Sequence, residues 1–170
     1  IEKTISQFNS EDFLIIQNEI NKVPEIIERA NYQKMRIIFN LAPFTKEVLN
    51  YPLEKVDTII YNETEGTGLS GFKKINEIKS NLLEKYPMLK QILTLGNQGS
   101  IYFDKENEIP VKAIKAKTID TTGAGDTFVG YYVSSLSKKM KIKDCLLRAS
   151  KAAGITTEKL GGAVSIPSID

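Results

Sequence analysis

The 170-residue chain contains no histidine. Its absence excludes Ser-His and Cys-His nucleophilic machinery, and zinc held by imidazole. One cysteine, Cys145, leaves no partner for an intrachain disulfide and fits a reducing compartment. It stands beside Leu146 and Leu147 in a helical pattern and reads as a buried structural thiol. No apolar run approaches the roughly 20 residues that span a bilayer. No signal-peptide pattern is present, so a cytoplasmic protein is expected, with no membrane partner. Neither sign of charge dominates: 23 basic and 21 acidic residues are well mixed, for a net charge of +2. That balance argues against a nucleic-acid partner. The basic stretch Lys138–Lys143 reads as a solvated turn between helices. The Gly-x-x-x-x-Gly-Lys-Ser/Thr loop of P-loop enzymes is also missing. Chemistry here must run on carboxylates, hydroxyls, backbone amides and bound ions.

What is present is an ordinary globular composition, 41% hydrophobic and 26% charged, enough for one core and one domain over residues 1–170. Short isoleucine-rich runs at Phe13–Gln17, Arg36–Asn40, Thr58–Tyr61 and Gln91–Leu95 predict core strands covered on both faces. Helical patterns fall between them at Val23–Lys34, Lys46–Leu49 and Phe72–Lys85. This alternation predicts an α/β fold, a mostly parallel, Rossmann-like sheet with helices on both faces. Ser100–Phe103 and Pro110–Ile114 read as an antiparallel pair joined by the charged turn Asp104–Glu108. Two closing helices follow, Ala124–Ser137 and Ile142–Glu158.

Residues 120–128 read Asp-Thr-Thr-Gly-Ala-Gly-Asp-Thr-Phe and open the first closing helix. Gly123, Ala124 and Gly125 let the chain turn tightly and bare successive N–H groups at the positive end of the helix dipole. Asp126 sits in the first helical turn, where a carboxylate alone would repel an anion. The pairing makes sense if Asp126 takes a proton from a hydroxyl while the amides hold charge on a transferred phosphoryl group. The competing reading is a plain turn followed by a helix N-terminal acid.

Ligands in open parallel sheets bind beyond the carboxyl ends of the strands. Glu19, Asn40, Asn62, Glu65 and Gly96 all fall at or just after such an end. Asn62 and Glu65, spaced i, i+3, would lie on one helical face. A carboxylate there can order the water shell of Mg²⁺; equally, the pair can be a helix cap with its box partner. Thr94 and Gly96 end a strand where small residues would admit a nucleotide, or simply form a turn with Gly99.

These motifs together resemble the ribokinase-like (phosphofructokinase-B type) carbohydrate kinases. Asp120–Phe128 resembles the family's C-terminal signature without a mismatch. Leu14–Ile20, the Phe39-Asn40-Leu41-Ala42-Pro43 turn, Asn62-Glu63-Thr64-Glu65, Thr94–Gly99 and Gly161–Pro167 are similar to its further motifs, in family order. Leu41 departs from the usual proline. The combination is most similar to the ribokinase branch. The resemblance implies ATP-dependent phosphorylation of a sugar primary hydroxyl, D-ribose to ribose 5-phosphate. It implies Asp126 as base, with Gly123, Ala124 and Gly125 as the anion cradle and Glu19 near the sugar. Nucleotide contacts are implied at Asn62, Thr94, Gly96, Gly99, Gly125 and, near adenine, Ser150. Mg²⁺ would be held through water by Glu65, and K⁺ in the neighbourhood of Asp120, Thr122, Thr156, Gly161 and Ser165. No counterpart is found of the family's glycine-rich N-terminal signature or its small β-sheet lid, through which its ribokinases dimerise. The chain therefore reads as the C-terminal portion of a kinase. The alternatives are a nucleotide-binding module without catalysis, or a kinase for another sugar or nucleoside such as fructose.

Overall fold

The computed structural model describes residues 1–168. Four parallel strands, β1 (Phe13–Gln17), β2 (Arg36–Asn40), β3 (Thr58–Asn62) and β4 (Lys90–Thr94), lie side by side in chain order. The same sheet continues through β5 (Ser100–Phe103) and β6 (Glu108–Val111). The connection between β5 and β6 is too short for anything but an antiparallel pair. Asp104 accepts the amides of Glu106 and Asn107 there, at 2.9 and 2.8 Å, and so ends the hairpin turn at Asn107. The second strand consequently begins earlier than the expected Pro110.

The described residues divide into two compact units, Ile1–Thr94 with Tyr102–Glu108, and Leu95–Ile101 with Ile109 onward. In the first, β2, β3 and β4 are almost wholly buried, as continuous apolar runs require. The outer strand β1 is not: Ile15 is 46% exposed, so the expectation of cover on both faces fails there. Helices α1 (Glu2–Ile5) and α2 (Val23–Tyr32) bury Ile5, Val23, Ile27 and Ala30. The helix expected over Phe72–Lys85 begins only at Ile75 (α4, Ile75–Lys85), after a separate helix α3 (Glu63–Ser70). Gly71 parts them by turning left-handed, φ 79°, a conformation favouring glycine. Helix α3 has poor material for a helix. Gly66 and Gly68 each cost ~1 kcal/mol against alanine, so tertiary contacts must hold it.

In the second unit, α5 (Ala124–Ser137) packs along α6 (Ile142–Thr156). Helix α5 contributes Phe128, Val129, Tyr132 and Val133, and α6 contributes Cys145, Leu146, Ala149 and Ala152. The two alanines let the helix axes approach. Cys145 is fully buried, as its leucine neighbours imply, and burial pushes its thiol pKa up. Lys138, Lys139, Lys141 and Lys143 are exposed around the connecting turn. No helix among the described residues is long and apolar enough to cross a membrane.

Candidate functional site

Strand register gathers one set of candidate residues in the first unit. Gln17 pairs with Asn40, and Asn62 with Thr94, so the carboxyl ends of the strands share one edge. Glu19 follows β1 on an exposed turn. Thr94 Oγ1 donates to the Tyr61 carbonyl at 3.3 Å. Asn62 caps α3: its Oδ1 accepts from the Glu65 amide, and Glu65 Oε2 accepts from the Asn62 amide, both at 2.9 Å. This is a complete capping box. It performs the structural role that spacing alone allowed, and it also fixes where the carboxylate lies. Glu65 is only 8% exposed, and burial raises its carboxyl pKa against the lowering effect of the Asn62 contacts. Keeping a buried carboxylate as a cap is costly where a glutamine would serve. No cluster of three metal-ligating side chains occurs among the described residues.

The second unit carries the glycine turn before α5. Gly123, with φ 78°, is the N-cap of α5, and no side chain caps the helix. First-turn amides have no acceptor within a helix; here the Ala124 amide donates back to the Thr121 carbonyl at 3.2 Å, and the Gly125 amide follows it at the positive end of the helix. Gly125 and Asp126 are exposed. A Cβ built on Gly125 would meet nothing within 4 Å, whereas one on Gly99 would lie 2.0 Å from the Val111 carbonyl oxygen. Glycine at 99 is therefore demanded by the protein's own backbone. At 125 the space beside the backbone is open, and no neighbour within the chain demands glycine. Gly96 likewise has open space around it, but its φ of 53° already favours glycine.

Behind the turn lies a buried hydroxyl relay. Thr127 Oγ1 donates to the Gly123 carbonyl at 2.8 Å, and Thr156 Oγ1 donates to Thr127 Oγ1 at 3.1 Å or to the Ala152 carbonyl at 3.0 Å. Thr156 ends α6 and its side chain points into this relay, so any cation contact from it would have to come through the backbone. Thr127 was not singled out by sequence reasoning, although it lies inside the Asp120–Phe128 motif. The available signal was a hydroxyl placed four residues after the turn glycine, one helical turn on.

Asp120 ties the turn to the chain's closing loop. Its Oδ1 accepts the Thr122 amide and hydroxyl at 2.9 and 2.7 Å, and its Oδ2 accepts the Gly161 amide at 3.0 Å. These bonds hold its carboxyl pKa low. Ser165 Oγ lies 2.5 and 2.7 Å from the Gly161 and Gly162 carbonyl oxygens. These bonds join the Asp120–Thr122 segment to the Gly161–Ser165 loop. Ser150, on α6, is buried, with no hydrogen-bond partner for its hydroxyl among the described residues.

Comparison with known proteins bears on the family and the fold. Residues 10–169 match the pfkB family of carbohydrate kinases. The chain is 35% identical to the ribokinase of Staphylococcus aureus over 167 residues, 94% of this chain and 54% of that protein. Among solved structures, the ribokinase of Thermotoga maritima matches with a TM-score of 0.83 at 28% identity, covering 98% of this chain and 56% of that one. The ribokinase of Cryptococcus neoformans in complex with ADP matches with a TM-score of 0.80 at 28% identity, covering 92% and 57%. The chain spans about half the length of the curated relatives it matches. The family match over 10–169, the ribokinase relatives and the shared α/β fold agree that this chain belongs to the pfkB family of carbohydrate kinases.

Proposed function

We propose that the chain is the nucleotide-binding and catalytic portion of an ATP-dependent sugar kinase acting on D-ribose. The observation that carries the reading is the uncapped, open turn at Gly125 beside the exposed Asp126. The ribokinase relatives favour ribose, and the ADP complex of the Cryptococcus protein favours an adenine nucleotide. Asp126 accepts the proton of the sugar's primary hydroxyl as that oxygen bonds to the γ-phosphorus of ATP. The bond from that phosphorus to the bridging oxygen breaks, and ADP leaves with the electron pair. The α5 amides, with Gly123 and Ala124 shaping the turn, hold the charge on the transferring group. Magnesium, when bound, would offset phosphate charge, and Glu65 is the residue that would order its water shell. Asp120, Thr122, Gly161 and Ser165 are the residues that would surround potassium and brace the turn. Glu19 is assigned to the sugar, and Asn62, Thr94, Gly96 and Ser150 to the nucleotide.

Orientation of the sugar can account for about 7–11 kcal/mol of a barrier, and the chain covers only about half of a ribokinase. The 170-residue chain alone is thus expected to bind ADP weakly and to transfer no phosphate. Calorimetry with ADP and a coupled assay with ribose and ATP test this. Absence of any ADP binding would sink the nucleotide reading. Ribose-dependent ADP release by a verified monomer would sink the reading of the chain as a portion.

A further inference from the structure

Helix α3, which carries Glu65, is gripped from two sides. Gly66 and Gly68 are two positions apart, about 200° around an α-helix, so they face opposite ways. A Cβ built on Gly66 would lie 2.8 Å from Tyr61 Cε2 and 3.4 Å from Ile78 Cγ2. One built on Gly68 would lie 2.5 Å from both Cδ1 and Cε1 of Phe44. Each ring rests on bare helix backbone, in space that any other residue would occupy.

The two rings are anchored differently. Tyr61 belongs to β3, is buried, and donates its hydroxyl to Gln91 Oε1 at 2.9 Å. Phe44 is half-buried and comes from the turn after β2. Asn18 pins that turn: its Nδ2 donates to the Pro43 carbonyl at 2.8 Å, and its amide donates to the Ala42 carbonyl at 3.1 Å. Tyr51 in turn donates its hydroxyl to Asn18 Oδ1 at 2.9 Å. A line of contacts therefore runs from Asn18, beside Glu19, through Pro43 and Phe44 to α3. The sequence of α3, Glu-Thr-Glu-Gly-Thr-Gly-Leu-Ser, would not hold the helix in place by propensity.

We propose that Phe44 is a positioning residue: by packing on Gly68 it sets α3, and with it the Glu65 carboxylate. The proposal rests on the reading of Glu65 as the magnesium residue. Removing the ring takes away the contact at Gly68 and leaves α3 held by Tyr61 at Gly66 and by its buried Leu69. Placing a methyl on Gly68 displaces the ring and has the same result, although alanine is the better helix former. That opposition separates the proposal from a simple effect on helix stability.

The test uses the full chain and two readouts. Hydrogen exchange at residues 63–70 reports the grip directly. Titration of Mg²⁺ against the ADP-saturated chain, followed by calorimetry, reports Glu65. Phe44→Ala and Gly68→Ala are each expected to speed exchange across 63–70 about ten-fold. Each should also raise the Mg²⁺ needed for half-saturation about five-fold. Phe44→Leu, which keeps apolar bulk, should recover most of both losses. Phe44→Ala combined with Glu65→Gln should be no worse than Glu65→Gln alone. Slower exchange in Gly68→Ala, as propensity alone dictates, would overturn the proposal. So would unchanged exchange in Phe44→Ala, or an unchanged Mg²⁺ titration in a background where Glu65→Gln shifts it. If Glu65→Gln shifts nothing, the magnesium reading fails, and the exchange data alone decide whether Phe44 holds α3.

Discussion

Replacing Thr127 by valine is expected to loosen the anion turn at small cost to the fold. The two side chains are nearly isosteric, so no cavity opens. What is lost is the hydroxyl's donation to the Gly123 carbonyl at 2.8 Å, a buried bond worth about 1 kcal/mol. No donor is orphaned, because Thr156 still reaches the Ala152 carbonyl at 3.0 Å. The Gly123 carbonyl also keeps the Thr127 amide at 2.9 Å. The destabilisation should therefore stay near the low end, about 1–1.5 kcal/mol. For a chain of this size that lowers Tm by about 2–6 °C. If the full loss of turn stability is carried into binding, ADP affinity falls about five-fold to ten-fold. Because Thr156 acts on the turn only through Thr127, Thr127→Val with Thr156→Val should cost less than the sum of the two single changes. Thermal unfolding followed by circular dichroism, with ADP calorimetry, measures both effects. Strict additivity, or ADP affinity unchanged in a folded Thr127→Val chain, would refute the relay.

Two further outcomes follow from the assigned roles. In the full-length kinase of the proposed reading, Asp126→Asn should lower kcat by about 10²–10⁴ with ADP affinity nearly intact; more than about a tenth of wild-type kcat would remove Asp126 as base. Burial raises the Glu65 carboxyl above its ordinary value of 4.5, so the folded state holds that proton more tightly than the unfolded one. Its stabilising contribution is present below that value and is lost as pH rises through the raised one. The stability of Glu65→Gln relative to the native chain should thus grow from about pH 4.5 upward, by no more than about 1.4 kcal/mol per pH unit. Parallel stability curves in urea unfolding would show the carboxylate is not penalised.

The sequence alone determined the elements whose information is local. β1, β2, β5 and α5 begin and end where composition places them, because apolar runs and the glycine turn before Ala124 act within a few residues. The α/β class followed from the order of the elements, the family from the resemblance of the motifs, and the capping box of Asn62 and Glu65 was legible in its i, i+3 pattern. Tertiary structure decided the rest. It delayed the expected Phe72–Lys85 helix to Ile75 and set a separate helix α3 before it, ended by the left-handed Gly71 and packed at its two glycines under the rings of Phe44 and Tyr61. It left Ile15 exposed on β1, since cover over a strand face is supplied by other segments and not by the strand. It turned Thr156 toward Thr127, 29 residues away in sequence, and only the pairing of α5 with α6 brings the two hydroxyls together. Gly99 and Gly125 look alike as letters, and what separates them is the Val111 carbonyl against one and open space beside the other. Local chemistry sets which residues could act; which of them face a ligand is a property of the packed chain.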